Sequence, residues 1–223
     1  MKLSVDIVLF GYEANDLKVL LIKRRFEPFK DKWAFPGGFV LEGESLEDAV
    51  ARKLREETGL GGVFTEQLYT FGNPGRDPRE RVISIAYYGL INPKLVELTS
   101  TYELDNAWVP VASLPELAFD HRAIFNTAYA RLQAKLSYQP IGFELLPEKF
   151  TLQEMNVMYE TILGRRINND AFRKRVLGLG IIERTGEFMV TNKHRPPEYY
   201  RFDKNKYDLA SSNGLYINFQ FRD

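Results

Sequence analysis

The sequence predicts an α+β chain in two parts: mixed strands with helices on their flanks, then a small module of two helices and a β-ribbon. Three observations carry this. Strand-length apolar runs recur up to Val111 and are interrupted by one well-punctuated helix. Two prolines and a glycine break the pattern between Ser137 and Pro147. Beyond that break, two short helical segments precede two short strand-like runs.

The elements follow in order. Leu3 to Phe10 and Leu17 to Lys23, rich in Val, Ile and Leu, read as strands joined by a turn at Glu13 to Asp16; Asp6 interrupts the first apolar run. Trp33 to Gly38 leads into a loop, with Pro36-Gly37-Gly38 marking a sharp turn. Ser45 precedes a helix to Thr58, Asp48 completes a loose analogue of a capping box, and Gly59 stops the helix. Phe64 to Phe71, Val82 to Leu90 and Ala107 to Val111 read as further strands, and His121 to Leu136 as a closing helix. The first domain is placed at 1–137, a linker at 138–147 and the second domain at 148–223.

Bulk properties set limits. The 223 residues hold 30 Lys+Arg against 30 Asp+Glu, so net charge gives no global sign of a nucleic-acid partner. The absence of cysteine excludes disulfides and thiolate metal sites. MKLSVDIVLFGY alternates like a strand rather than a signal peptide, and no apolar run is long enough to span a membrane, so a cytoplasmic protein is expected.

Residues Gly38 to Leu60, GFVLEGESLEDAVARKLREETGL, carry the chemistry. Gly38, Glu44, Arg52, Leu54, Glu56, Glu57, Gly59 and Leu60 fit the spacing G-x5-E-x7-R-E-U-x-E-E-x-G-U, where U is aliphatic. The segment resembles the Nudix box of hydrolases that split nucleoside diphosphates linked to another group. That resemblance implies an α/β/α sandwich, with Glu56 and Glu57 as magnesium ligands and Arg52 orienting them. Lys53 departs from it, because the family places a glutamate there. On a helix, positions 52, 53, 56 and 57 share a face. Lys53 therefore puts an ammonium one turn from both glutamates, where it neutralises them and repels a cation. At an effective dielectric of ~20, a unit charge at ~4 Å is worth roughly 4 kcal/mol at the upper end. Glu56 and Glu57 are thus the candidate metal ligands, opposed by Lys53. No catalytic residue is assigned beyond the box remnant Arg52, Lys53, Glu56 and Glu57. No cofactor is required unless hydrolysis, and with it magnesium, is retained.

A second segment bears on ligand binding. FGNPGRDPRERVISIAYYGL places Arg76, Arg79 and Arg81 in a loop before a buried strand, and resembles the same region of ADP-ribose pyrophosphatases and their regulator relatives. Arginine forks suit diphosphate oxygens, whereas pairing with Asp77 and Glu80 would leave only a solvated loop. Arg24, Arg25 and Phe26 form a weaker basic and aromatic edge. Tyr87 and Tyr88 alternate across their strand, so one faces the pocket side, and Tyr88 is the candidate. The effector-binding set is Arg25, Gly37, Gly38, Arg76, Arg79 and Tyr88. His121 and His194 read as structural or surface residues, with no Ser-His-Asp or Cys-His grouping around them.

In the second domain, Thr151 caps a helix to Leu163, and Asn168 or Asn169 caps a second one to Leu177. Ile181 to Arg184 and Tyr199 to Phe202 read as strands around the loop TNKHRPPEYYRF. Helix, turn, helix and wing is the order of a winged helix-turn-helix. From Arg165 to Lys206 there are eleven Lys/Arg and five Asp/Glu, a local excess of six in a neutral chain. Arg173, Lys174 and Arg175 on the second helix, with Lys193, His194 and Arg195 at the wing tip, are the DNA-binding candidates.

FPGGFV, RKLREETGL, GRDPRERVISIAYY, PIGFELLP, FTLQEM, DAFRKRV and KHRPPEYYRF occur in an order that resembles the Nudix-related transcriptional regulators over nearly the whole chain. The resemblance implies a homodimeric repressor that binds a double-stranded DNA operator, its degenerate Nudix domain sensing ADP-ribose or a pentose. The alternative is a magnesium-dependent ADP-ribose or sugar-nucleotide pyrophosphatase with an appended winged helix.

Overall fold

A computed structural model describes residues 1–99, 105–191 and 195–212. The chain folds as two units, Met1–Arg131 and Leu132–Asp223.

The first unit is built on one mixed sheet. Its strands are β1 (Lys2–Glu13), β2 (Asp16–Lys23), β3 (Trp33–Ala34), β4 (Gly37–Phe39), β5 (Thr65–Phe71), β6 (Val82–Leu90) and β7 (Asn106–Pro110). The main path runs β3-β2-β1-β6-β5, with β4 on β1 and β7 on β2. β1 and β6 pair in parallel, setting Asp6 opposite Ala86, while β1 and β2 form a hairpin. Strand alternation sends the side chains of β1 to two faces. Val5, Ile7 and Leu9 pack with Ala49, Val50 and Leu54 of helix α1 (Leu46–Thr58). On the other face Phe10 meets Phe125 of helix α2 (His121–Tyr138). In α2 the residues Ile124, Ala128, Leu132 and Leu136, four apart, are fully buried. The result is the expected sandwich of sheet between helices.

Local signals set the bounds of α1. Ser45 is its N-cap and accepts the Asp48 N–H, while Asp48 accepts the serine hydroxyl in return. Gly59 ends the helix with φ 76°, the left-handed conformation that glycine adopts without penalty.

The second unit has helices α3 (Leu152–Leu163), α4 (Asn169–Gly178) and α5 (Lys204–Ser212), with strands β8 (Phe150–Thr151), β9 (Ile182–Phe188) and β10 (Glu198–Phe202). These strands form an antiparallel sheet in the order β8-β10-β9. Thr151 makes a full capping box with Glu154, and Asn168 caps α4. Tyr159 and Phe172 meet edge to face, with centroids 5.3 Å apart, and hold α3 against α4.

Two differences from the sequence reading stand out. β8 adds a third strand to the expected two-stranded wing. The segment 138–147, read as a linker, is folded: Phe143, Leu145 and Leu146 are buried, and Phe143 stacks on Phe202 at 4.0 Å. Proline and glycine mark a change of direction there, with Gly142 at φ 97° leading into a single 3-10 turn, not a solvated hinge. The division between the units also falls inside α2, ahead of the boundary expected at 137.

Candidate functional site

The site lies where the box loop and α1 meet strands β1, β2 and β6 of the first sheet. A cavity of about 280 Å³ is lined by Asp6, Arg24, Phe35, Gly37, Gly38, Phe39, Lys53, Glu57, Arg76, Arg79, Phe119 and His121, among others. An adjoining cavity of about 320 Å³ shares Arg24, Phe26, Lys53 and Glu57 with it and adds Arg25. Of the expected effector-binding residues, Gly37, Gly38, Arg76 and Arg79 line the first cavity and Arg25 the second. Tyr88 lines neither. It is buried in β6, and Tyr87 faces α1 with its hydroxyl donating to Glu47 at 3.1 Å. Neither tyrosine lines these two cavities.

Arg52 holds the box loop onto α1. Its guanidinium donates to both Glu44 carboxylate oxygens, at 2.6 and 2.9 Å, and to the Phe39 carbonyl at 3.0 Å. This two-pronged pairing keeps the Glu44 carboxyl down at about 2. The same guanidinium reaches Glu56 at 3.4 Å. Lys53 stands in the middle of the cluster, its ammonium 2.9 Å from Glu56 and 3.7 Å from Glu57. Glu57 also accepts the Gly37 N–H at 2.9 Å.

The two glutamates respond in opposite directions. Burial raises the Glu56 carboxyl, but Lys53 and Arg52 outweigh it and leave the group below its ordinary range. Burial pushes Glu57 up to about 7, against the pull of the Gly37 N–H and Lys53, with Glu56 and Asp6 adding to the rise. The folded state therefore holds a proton on Glu57 that the unfolded chain releases near 4.5. Stability from this group is complete below about 4.5 and is lost as pH rises through about 7. Thermal melts across that window should show the native chain losing stability relative to Glu57→Gln, which cannot ionise; parallel curves would refute the assignment.

Magnesium does not fit this donor set. It requires octahedral oxygen ligation and one or two free carboxylates. Here Glu56 is engaged by two cations, and Lys53 lies within ion-pair distance of both glutamates. Among the described residues, no group of three or more His, Asp or Glu is placed to hold a metal ion.

On the other side of the cavity, Arg76 is turned inward. It bonds Asp120 at 2.7 and 3.0 Å and Asp6 at 3.1 Å. Asp6 also accepts the Ser84 hydroxyl and lies 3.4 Å from His121 Nε2. The Phe35 N–H donates to His121 Nδ1 at 3.0 Å, so in the neutral ring the proton sits on Nε2, toward Asp6. Burial would raise the Asp6 carboxyl, but His121, Arg76 and Ser84 together hold it far below its usual range. Arg76 thus braces the pocket wall. Arg79 pairs with Asp77 at 2.7 Å and lies within 6 Å of two rings, Phe39 (5.4 Å) and Phe119 (5.7 Å). Arg24 lies over Phe119 at 4.6 Å. Sequence reasoning missed Asp6, Phe119, Asp120 and His121 as site residues; the one available signal was a carboxylate within the apolar run of β1.

In the second unit, Arg173 and Lys174 are exposed on α4 while Arg175 is half-buried. Arg195 is exposed beside the β9–β10 connection, and Lys193 and His194 lie outside the described residues.

The comparisons agree with this architecture. A NUDIX domain family model matches residues 2–128, and the NrtR DNA-binding winged helix domain matches 142–202. The ADPR responsive transcriptional repressor NtrR of Acinetobacter baylyi is 37% identical over 211 residues, which cover 93% of this chain and 84% of that protein. The chain belongs to the NrtR-type Nudix-related transcriptional regulators. Shewanella oneidensis NrtR in complex with a 27mer DNA superposes with a TM-score of 0.82 at 36% identity, covering 92% of this chain and 95% of that one. The Nudix domain of the same NrtR, in complex with ADP ribose, is 40% identical with a TM-score of 0.55, covering 59% of this chain and 88% of that one. Among the described residues of this family member, no helix is long and apolar enough to cross a membrane.

Proposed function

We propose that this protein is a homodimeric DNA-binding repressor whose Nudix domain senses ADP-ribose without hydrolysing it. The observation that carries the reading is the replacement of a box glutamate by Lys53 in a chain that also holds a winged helix. The lysine removes the metal site that hydrolysis needs, while the cavity keeps the arginines and aromatic rings that suit a nucleoside diphosphate. The exposed Arg173 and Lys174 on α4, together with Arg195, supply cations for phosphates and base edges. A two-fold operator would require two copies of α4 at fixed spacing, hence the dimer. ADP-ribose then acts by favouring an arrangement of the dimer's two winged helices that does not match that spacing; a coupling of ~1–3 kcal/mol changes occupancy roughly 5- to 150-fold.

Fluorescence anisotropy of the full chain on duplexes from the region upstream of its own gene tests this. Tight binding to one duplex, released by ADP-ribose that is recovered intact, is the expected result. Loss of ADP-ribose with release of AMP and ribose phosphate would favour instead a pyrophosphatase acting through the retained Glu44, Arg52, Glu56 and Glu57.

A further inference from the structure

The divalent cation on which the box is built has a counterpart within this chain. We propose that the Lys53 ammonium is the standing counter-charge for the effector's diphosphate, so that the pocket takes a nucleoside diphosphate without magnesium. This inference rests on the sensor reading above and assigns its central residue.

Charge makes the first argument. Changing glutamate to lysine moves the local charge from −1 to +1, a difference of +2, which is the charge of one magnesium ion. A diphosphate that would otherwise need a metal to offset the glutamates meets a cluster already offset by Lys53.

Position makes the second. The Lys53 side chain is only 16% exposed, yet it lines both cavities. It runs over the Gly38 backbone: a Cβ on Gly38 would stand 2.5 Å from Lys53 Cε and 3.2 Å from Nζ. The box glycine, which ordinarily lets the loop approach closely, here also leaves the path for the lysine stem. An ammonium has three N–H donors. One bonds Glu56 at 2.9 Å, and the 3.7 Å separation from Glu57 is too long for a hydrogen bond. Donor capacity therefore remains for a phosphate oxygen. Arg76, by contrast, is committed to Asp6 and Asp120.

Chemistry makes the third. A bound metal lowers the pKa of a coordinated water and so couples binding to attack. An ammonium nitrogen has no vacant coordination position and offers only charge and hydrogen bonds. Lys53 thus separates recognition from turnover, and a sensor that does not consume its signal needs that separation.

The test is calorimetry on the full chain with two probes, ADP-ribose and inorganic pyrophosphate, each in EDTA and in excess magnesium. The native chain should bind ADP-ribose equally in both buffers. Lys53→Ala should weaken binding about tenfold or more, Lys53→Arg should largely restore it, and Lys53→Glu should bind only with magnesium. Thermal melts of each variant separate loss of binding from loss of fold. Native binding that requires magnesium, or folded Lys53→Ala with native affinity, would overturn the proposal. Pyrophosphate binding in EDTA without ADP-ribose binding would keep the role of Lys53 and reject ADP-ribose as effector. Failure of both probes in both buffers would reject both.

Discussion

Arg76→Ala should destabilise the first unit by about 3–5 kcal/mol, the range expected when one partner is removed from a buried ion pair. The side chain is only 4% exposed and bridges two carboxylates that are distant in sequence, Asp6 on β1 and Asp120 just before α2. Removing it leaves Asp6 with the Ser84 hydroxyl and the His121 ring but without the guanidinium. It also releases the start of α2, where the Asp120 carbonyl accepts the Ala123 N–H and the Asp120 carboxylate holds Arg76. The effect has a pH signature. In the native chain Asp6 is held far below its ordinary value of 3.8, so its contribution is present above that value and is lost only as pH falls through the much lower folded one. Without Arg76, the desolvation that already pushes this group upward gains weight. The cost of the substitution should therefore shrink as pH is lowered and Asp6 takes up a proton. Urea titrations near neutral pH and near pH 4 measure this directly. A second check is the double variant Asp6→Asn with Arg76→Leu, which should be less damaging than Arg76→Ala alone because the more deeply buried carboxylate, Asp6, no longer carries an unmatched charge and only the more exposed Asp120 loses its cation. A single substitution costing less than about 1 kcal/mol would mean that solvent reaches the network and the brace is unimportant.

The contrast between Lys53 and Arg76 explains what the sequence could reveal. Lys53, Glu56 and Glu57 lie within one helical turn, so their meeting follows from spacing alone, and the structure joins them as that spacing requires. Ser45 and Gly59 likewise bound α1 through contacts made within a few residues. Arg76 was legible only as a cation in a loop. Its partners Asp6 and Asp120 come from β1 and the approach to α2, and no local pattern connects the three. The spacing therefore shows an arginine suited to a ligand but not the inward pairing with Asp6 and Asp120 that holds it at the cavity wall. Strand alternation showed that Tyr87 and Tyr88 face opposite sides, but not which cavities the helices leave open. β8 is not legible in the sequence because two residues, Phe150 and Thr151, carry no period. The segment 138–147 differs from expectation for a related cause: proline and glycine report backbone direction, whereas burial of Phe143 depends on Phe150 and Phe202 from elsewhere in the unit.

Replacing Arg173 and Lys174 together by alanine should weaken binding of the dimer to a two-fold operator roughly a thousandfold near 0.15 M salt, if each of the four side chains contacts one phosphate and contributes about 0.9 to the logarithmic salt slope. Both side chains are exposed on α4, whereas Arg175 is half-buried and Phe172 and Val176 face the core. α4 therefore presents the first two cations outward, and those two, not Arg175, are the pair to remove. Their loss from both protomers should also lower the measured salt slope by roughly three to four, which distinguishes lost phosphate contacts from a general loss of fold. Affinity for ADP-ribose should be unchanged, since the candidate pocket lies wholly within the first unit. Anisotropy at several salt concentrations, with calorimetry on the same preparation, reads both quantities. A weakened DNA complex with an unchanged salt slope would mean that these residues act on base edges or on helix packing instead. An unchanged DNA affinity would remove α4 from the interface and leave its cations as an ordinary solvated helix surface.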